Sequence, residues 1–195
     1  MELPIVILAS GRGSNFEAIA NAIKEKRCDA KILALISDNP GAKALEIAKK
    51  QEIPSHVFER KNFSSSEEFD DALFSAVEEY SPQLIVLAGY MRIIRSKKVF
   101  EKYKNKIINI HPSLLPKYPG AHAQKDAFDA GEKESGLTIH IVDESLDGGP
   151  IIYQEKINIS DCKSAAGVSE KILKREHMAY PAVIDKISKG IIKLE

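Results

Sequence analysis

An amide and an imidazole stand two residues apart in the segment NIHPSLLP, residues 109–116, where an apolar run ends. Alternate residues of a strand project from the same face, so Asn109 and His111 are predicted to point the same way. Pro112 favours extended backbone at His111, which places the pair where a strand opens into a loop. A carboxylate follows in a second loop, at Asp147 of the segment DGGP. An amide, an imidazole and a carboxylate are sufficient to catalyse acyl transfer without a covalent nucleophile.

Each of these residues also has an ordinary structural interpretation. Asn109 could bond to neighbouring backbone, although an Asn in a buried strand is costly unless it is paired or functional. Asp147 could simply hold a turn, which is the usual role of Asp-Gly. Among the other histidines, His140 fits a buried strand residue or a support for the site better than a catalytic base. His122, which follows a Tyr-Pro-Gly turn, is a possible site-lining residue.

A glycine loop, residues 11–15 with the sequence GRGSN, follows the first apolar run and is predicted to open a helix. Ser14 and Glu17 have the spacing of a capping box. The backbone N–H groups of such a loop, at the positive end of a helix, would stabilise a phosphate. Phe16 occupies the third glycine position of a dinucleotide fingerprint and no Lys-Ser/Thr follows, so a monophosphate suits the loop better than a nucleotide. The alternative is a tight turn with an ordinary cap.

The composition narrows the class of protein. The chain has 195 residues, which we interpret as one domain, and its 28 basic residues balance 28 acidic ones. A nucleic-acid or membrane-surface partner is therefore not expected. Cys28 and Cys162 lack the spacing of a disulfide framework or a zinc site, so we expect a reducing cytoplasm and no metal. The first residues lack the features of a signal peptide and no apolar run reaches membrane-spanning length, which predicts a soluble protein.

Continuous apolar runs rich in β-branched residues predict strands that are buried on both faces. They lie at residues 5–9, 32–36, 84–88 and 107–110, with further strands predicted at 137–142 and 151–157. Helical periods separate the first four, and a long helix is predicted from about 164 to 189, ended by Gly190. Residues 191–194 are a possible last edge strand. This pattern predicts an α/β, Rossmann-like fold: a mostly parallel twisted sheet with helices on both faces and partly antiparallel C-terminal strands.

Several of these motifs, taken in order, resemble one enzyme family. GRGSN, LAGYMRII at 87–94, NIHPSLLP followed by KYPG, and DGGPII after a T-I-H-I-V run are similar to the phosphoribosylglycinamide formyltransferases. The resemblance covers essentially the whole chain. The NIHPSLLP and DGGP segments are shared by formyltransferases in general, so substrate choice rests on GRGSN, on Glu176-His177 and on length. A methionyl-tRNA formyltransferase would carry a further C-terminal domain, and a formyltetrahydrofolate deformylase an N-terminal one.

The resemblance implies transfer of the formyl group of 10-formyltetrahydrofolate, the co-substrate, to the primary amine of glycinamide ribonucleotide in purine (IMP) biosynthesis. The catalytic residues would be Asn109, His111 and Asp147. Asn109 would donate to the oxyanion of the tetrahedral intermediate, and protonated His111 would be a second donor and the general acid. Asp147 would favour the imidazolium and relay the amine's proton through a water. The remaining alternatives are formyl transfer to another small amine such as an amino sugar, a formyltetrahydrofolate hydrolase, and a binding protein with an inactive site.

The resemblance also implies two binding regions in one domain, with phosphate bound by the N-terminal half and folate and catalysis in the C-terminal half. The ribonucleotide would contact Gly13, Ser14, Asn15, Leu173, Lys174, Arg175 and Glu176. The folate would contact Met91, Arg92, Ile93, Ile94, Asn109, Asp143, Glu144, Ser145, Leu146 and Asp147. Two positions depart from relatives: Ser66 stands where some have an arginine for the folate tail, which Arg60 or Lys61 could replace, and Gln124 stands where many have histidine. The sequence leaves monomer and homodimer open.

Overall fold

A computed structural model describes residues 2–194 as seven strands and six α-helices. The strands are β1 (Leu3–Leu8), β2 (Ala30–Ser37), β3 (Ser55–Val57), β4 (Leu84–Leu87), β5 (Ile107–His111), β6 (Glu134–Ile141) and β7 (Ile151–Asn158). The helices are α1 (Ser14–Lys24), α2 (Lys43–Lys50), α3 (Ser66–Glu79), α4 (Lys97–Lys102), α5 (Ala123–Asp129) and α6 (Ala165–Ser188). No helix within 2–194 is long and apolar enough to cross a bilayer.

The strands form one sheet in the order β3-β2-β1-β4-β5-β6-β7. The first five are parallel to one another, whereas β6 runs antiparallel to both β5 and β7. The predicted Rossmann-like sheet with partly antiparallel C-terminal strands is thus confirmed. Between β1 and β4 the strand order reverses, and ligands of open α/β sheets bind in the crevice that such a reversal creates at the carboxyl ends of the strands.

Two cores cover the two faces of this sheet, and β1 shows why its sequence is continuously apolar. Ile5 and Ile7 point into a core that includes Phe16 of α1. Val6 and Leu8 point to the opposite face, where α3 packs. Successive residues of the strand therefore face different cores, so every position needs an apolar side chain. Burying one such side chain stabilises the fold by about 1.5–3 kcal/mol.

The start of α1 differs from the expected capping box. Gly13, with a φ of 73°, is the residue that precedes the helix, and no side chain caps it. Ser14 is already the first helical residue, so its hydroxyl cannot cap the helix from outside, and Glu17 is exposed. By contrast, α3 has a side-chain cap, because Ser65 accepts the backbone N–H of Glu68. The first N–H groups of α1 therefore remain available to a ligand.

The C-terminal helix ends as predicted, but the last strand is wrong. α6 finishes at Ser188 and Gly190 follows with a φ of 66°. The N–H groups of Ile191 and Ile192 both donate to the carbonyl of Lys186, so the chain folds back over the helix end instead of joining the sheet. Ile191 and Ile192 therefore satisfy the helix terminus, as C-terminal caps do.

Candidate active site

A cavity of about 780 Å³ opens at the carboxyl ends of β1, β4 and β5, where the strand order reverses. One side is formed by the glycine loop and by Glu176 of α6. The other side is formed by residues 87–94, at the end of β4 and in the loop after it, and by the Asp147 loop, which we define as residues 143–149. Asn109 and His111, at the end of β5, lie in the wall between them. The sheet thus brings segments from both halves of the chain to one site.

Asn109 is oriented by a histidine on the neighbouring strand. β5 and β6 pair Asn109 directly with His140, and Asn109 Nδ2 lies 3.2 Å from His140 Nε2. His140 Nδ1 donates to the carbonyl of Ile141 at 2.9 Å, so Nε2 of the neutral ring is free to accept an amide hydrogen. Burial lowers the pKa of His140, which favours this neutral form. One Nδ2 hydrogen of Asn109 is therefore engaged, and the other remains for a ligand.

The ring of His111 is oriented by a hydrogen bond at its Nε2 nitrogen. It is buried, and Nε2 lies 2.8 Å from the backbone carbonyl of Tyr118, which can only accept, so Nε2 carries a hydrogen. Nδ1 faces Asp147 Oδ2 at 3.4 Å. Because Nε2 is occupied, Nδ1 is the ring nitrogen that can exchange a proton with a ligand in the cavity. A proton on Nδ1 would lie beside the Asp147 carboxylate.

The Asp147 carboxylate lies between two histidines. Its Oδ2 accepts the backbone N–H of Gly120 at 2.8 Å, and its Oδ1 is 3.7 Å from His140 Nε2. The residue has a φ of 51°, in the left-handed region that few non-glycine residues occupy. Gly149 lets the loop approach β6, since a Cβ there would lie 2.0 Å from the Ile141 carbonyl oxygen. The loop backbone thus aims the carboxylate at His111 and His140.

The glycine-loop side of the cavity carries an unsatisfied polar atom. Asn15 is buried, and its Nδ2 donates to Glu176 Oε2 at 2.8 Å. The other amide atom of Asn15, Oδ1, is buried and has no hydrogen-bond partner. Burial raises the pKa of Glu176, while the Asn15 bond and the charge of Arg12 oppose that shift. A buried polar atom without a partner is costly, and here it lies in the wall of a cavity that a polar ligand could fill.

The 91–96 loop, which follows β4, is fixed at both ends. The Met91 N–H donates to Ser10 Oγ at 2.8 Å. At the other end, Asp70 Oδ2 accepts the N–H groups of Arg95 and Ser96, at 2.5 and 3.1 Å. Arg92 is paired with Asp38, Nε to Oδ2 at 2.6 Å. A smaller cavity of about 280 Å³ adjoins this loop and is lined by Arg60, Ser66, Phe69, Asp70, Met91, Arg92, Ile93 and Arg95.

The chemistry of the site is that of a donor and acid–base cluster. It presents an amide N–H, an imidazole with one exchangeable nitrogen, and a carboxylate beside that nitrogen. Such a set can stabilise an oxyanion and move a proton between neighbouring groups. Within residues 2–194, no three His, Cys, Asp or Glu side chains are grouped so that they could hold a metal ion.

Comparison with known proteins identifies the family of this chain. The sequence model of the formyl transferase family matches residues 3–184. The chain belongs to the formyl transferase family. It is 44% identical to the phosphoribosylglycinamide formyltransferase of Bacillus subtilis (strain 168), over 93% of this chain and 92% of that protein. It is 41% identical to the enzyme of the same name from Haemophilus influenzae, over 98% of this chain and 90% of that protein.

A solved formyl transferase structure confirms the fold at high similarity. The glycinamide ribonucleotide transformylase 1 from Symbiobacterium toebii superposes with a TM-score of 0.95 at 34% identity. The match covers 100% of this chain and 91% of that one. The resemblance that the motifs indicated is therefore confirmed along the full length of the sheet and its helices.

Most residues that the sequence assigns to this formyl transferase site come together around the large cavity. Its wall includes Gly13, Ser14, Asn15, Met91, Arg92, Ile93, Ile94, Asn109, His111, Asp143, Ser145, Leu146, Asp147, Leu173 and Glu176. Lys174, Arg175 and Glu144 are exposed and do not line it. Lys174 is paired with Glu170 and Arg175 with Glu155. His122 is exposed at the start of α5 and is also outside this wall.

The formyl transferase fold brings further residues to the cavity that sequence reasoning did not assign to binding. Arg12, Tyr90, Gln124, His140 and Ser169 all line it. The position of Arg12 inside the glycine loop could have indicated it. Nothing local indicates Ser169, because its nearness to the site depends on how α6 packs. The Tyr118 carbonyl that orients His111 is a backbone group and carries no sequence signal.

Proposed function

We propose that this protein transfers the formyl group of 10-formyltetrahydrofolate to the primary amine of glycinamide ribonucleotide, a step of de novo purine biosynthesis that leads to IMP. The observation that carries the proposal is the meeting of Asn109, His111 and Asp147 in one wall of the large cavity. The opposite side of that cavity has the uncapped start of α1 and the unsatisfied Oδ1 of Asn15. Relatives named phosphoribosylglycinamide formyltransferase support the choice of acceptor.

The reaction needs one bond formed and one broken at the formyl carbon. The acceptor amine attacks this carbon to form a new C–N bond, and the formyl oxygen becomes negatively charged. The free Nδ2 hydrogen of Asn109 and a proton on His111 Nδ1 stabilise that oxygen. The C–N10 bond to the folate then breaks. The proton lost by the amine passes through a water held by Asp147 and His111, and N10 of the folate gains a proton as it leaves.

The phosphate of the ribonucleotide is assigned to the glycine loop. Its oxygens would accept the free N–H groups at the start of α1. Gly13 holds the loop in place, because a Cβ there would lie 2.7 Å from Ala44 of α2. The amine end of the acceptor is assigned to Leu173 and Glu176. Lys174 and Arg175 remain predicted contacts, although their side chains are paired at the surface in this structure.

The folate is assigned to the opposite side of the cavity. Met91, Ile93 and Leu146 are exposed by 70%, 44% and 54%, which is unusual for large apolar side chains, and all three line the cavity. A flat, largely apolar ring system would cover them, and the backbone of 143–147 would bond to its polar edge. For the glutamate tail, Arg60 is the better replacement for the arginine missing at position 66. Arg60 lines the smaller cavity and donates towards Ser66 Oγ at 3.4 Å, whereas Lys61 is paired with Glu59.

The remaining expectations concern assembly and location. We take residues 1–195 as one formyltransferase domain that acts in the cytoplasm as a monomer or a homodimer. Sedimentation velocity over a range of protein concentrations would distinguish the two assembly states. Small molecules are its expected partners, in keeping with a balanced charge of 28 basic and 28 acidic residues.

The deciding experiment follows the folate product spectroscopically, with and without glycinamide ribonucleotide. We expect product only when the ribonucleotide is present, and formylated ribonucleotide in equal amount. Formate release at a comparable rate without acceptor would instead indicate a hydrolase. Equal activity with an acceptor that lacks the 5′-phosphate would favour a different amine, such as an amino sugar. His111→Ala should abolish turnover, and unchanged turnover in this variant would expose a contaminating activity.

A further inference from the structure

Arg12 is a cation at the cavity that no role proposed above uses. It stands between Gly11 and Gly13 in the glycine loop, its side chain is exposed, and it lines the large cavity. No acidic side chain within residues 2–194 lies within ion-pair distance of it. The five N–H donors of its guanidinium are therefore available to a ligand.

Three other arginines around the site have side-chain partners, and Arg95 lies in the smaller cavity on the folate side. Arg92 is paired with Asp38, and Arg60 donates to the carbonyl of Phe63 at 2.7 Å. Arg175 is paired with Glu155 at the surface. Arg12 is the arginine that lines the glycine-loop side of the cavity, and its side chain has no ion-pair partner among residues 2–194.

The charge balance on this side requires a cation if a phosphate binds. A phosphate monoester carries nearly two negative charges near neutral pH, and the start of a helix offers only about half a positive charge. The Glu176 carboxylate lies beside Asn15 in the same wall and would repel the phosphate. The positive charge of Arg12 already acts on Glu176 and on His177 across this region. Arg12 thus lies where a counter-charge is needed.

We propose that Arg12 binds the doubly charged phosphate of the acceptor and makes the enzyme select phosphorylated over unphosphorylated acceptors. The inference rests on the proposed function, because that function supplies the phosphate. A charge-assisted bond from a guanidinium adds to the neutral N–H groups of the helix and is stronger than any one of them. Arg12 would therefore act on binding and not on the chemical step.

The test combines two changes, one in the protein and one in the substrate. Arg12→Gln should lower kcat/KM for glycinamide ribonucleotide on the order of tenfold, with kcat at saturation unchanged. For the same acceptor without its phosphate, the substitution should leave kcat/KM unchanged, because the interaction it removes is absent. Arg12→Lys should recover part of the loss. An equal loss with both acceptors would overturn the proposal.

Inorganic phosphate provides a second readout. It should inhibit the wild type in competition with the ribonucleotide, and its inhibition constant should rise on the order of tenfold in Arg12→Gln. Arg27→Gln is the matched control, since Arg27 is an exposed arginine paired with Glu25 at the other end of α1. It should change neither constant. A phosphate inhibition constant that is the same in wild type and Arg12→Gln would overturn the proposal.

Calorimetric binding of the ribonucleotide separates this inference from the proposed function. If the wild type transfers no formyl group but binds the ribonucleotide more tightly than Arg12→Gln does, the proposed function is overturned and the role of Arg12 is supported. If the wild type transfers the formyl group and both proteins bind the ribonucleotide with the same affinity, the function is supported and the role of Arg12 is overturned. Absence of binding to the wild type would overturn both.

Discussion

Asn109 and His140 form a direct cross-strand pair, with Asn109 Nδ2 3.2 Å from His140 Nε2 at the antiparallel junction of β5 and β6. Because His140 Nδ1 donates to the carbonyl of Ile141, the neutral ring can only accept at Nε2. The histidine therefore determines which end of the Asn109 amide faces it. The contact fits the supporting role that the sequence predicts for this histidine.

Asn109→Ala should lower kcat by about a hundredfold or more, because it removes an N–H donor to the oxyanion. The KM for each substrate should change much less, since the interaction forms mainly in the transition state. Steady-state kinetics with both substrates varied would measure the split. Asn21→Ala, an exposed asparagine on α1, is the control and should behave as the wild type. A rise in KM alone would mean that Asn109 binds the ground state only.

The contribution of His140 to the stability of the protein should fall as the pH is lowered. Burial lowers the pKa of His140, so the folded state binds fewer protons than the unfolded chain once the pH drops below about 6.5. The contribution of His140 to the free energy of unfolding should therefore be highest above about pH 7 and decrease towards about pH 5, while the raised pKa values of Glu176 and Asp70 act in the opposite direction at the acid end. Urea unfolding across this range measures it.

His140→Gln provides the comparison for that pH dependence. Gln can still accept the Asn109 N–H but does not titrate, so its unfolding free energy should decline less steeply with falling pH. Burial also lowers the pKa of His177, which keeps some slope in the variant. Identical slopes in the two proteins would show that His140 does not carry the effect.

Gly149→Ala should impair both activity and stability. A Cβ at this position would lie 2.0 Å from the Ile141 carbonyl oxygen, so the Asp147 loop would have to move away from β6. The carboxylate would then leave His111, and we expect kcat/KM to fall at least about tenfold. Gly167→Ala is the control, because a Cβ there makes only ordinary contacts, the nearest at 3.6 Å. Wild-type kinetics for Gly149→Ala would contradict the proposed role of this loop.

Asp70→Ala should weaken folate binding selectively. The buried carboxylate accepts the N–H groups of Arg95 and Ser96, and without it both donors of the 91–96 loop lose their partner. We expect a higher KM for the folate, an unchanged KM for the ribonucleotide, and a loss of about 1–3 kcal/mol in stability. Initial-rate kinetics and urea unfolding measure these. Asp129→Ala, which breaks only an exposed pair with Lys125, should alter none of the three quantities.

The two cysteines should differ sharply in reactivity. Burial raises the pKa of the Cys28 thiol to about 12, and its side chain belongs to the hydrophobic core, whereas Cys162 is partly exposed. Titration with a thiol reagent near neutral pH should therefore count one reactive group in the native protein and two after denaturation. Cys162→Ser should leave no rapidly reacting thiol in the native state. Rapid reaction of Cys28 would contradict its position in the core.

The sequence alone determined the features that depend on local pattern. Continuous apolar runs predicted four of the parallel strands, since a strand buried on both faces needs apolar side chains at every position. The two-residue spacing put Asn109 and His111 on one face, and the order of motifs indicated the family. The predicted edge strand at 191–194 and the capping box at Ser14 were wrong. In both places the backbone at a helix end adopts an arrangement that residue type alone does not reveal.

Only the tertiary structure decided how distant groups meet. The approach of Asp147 to His111, the pairing of Asn15 with Glu176 and the hold of Asp70 on the 91–96 loop join residues far apart in the chain. It also decided that Nδ1 of His111 is the exchangeable nitrogen, since the backbone carbonyl of Tyr118 occupies Nε2. Such relations depend on how strands and helices pack in three dimensions, and backbone carbonyls are present at every residue, so no local pattern specifies them.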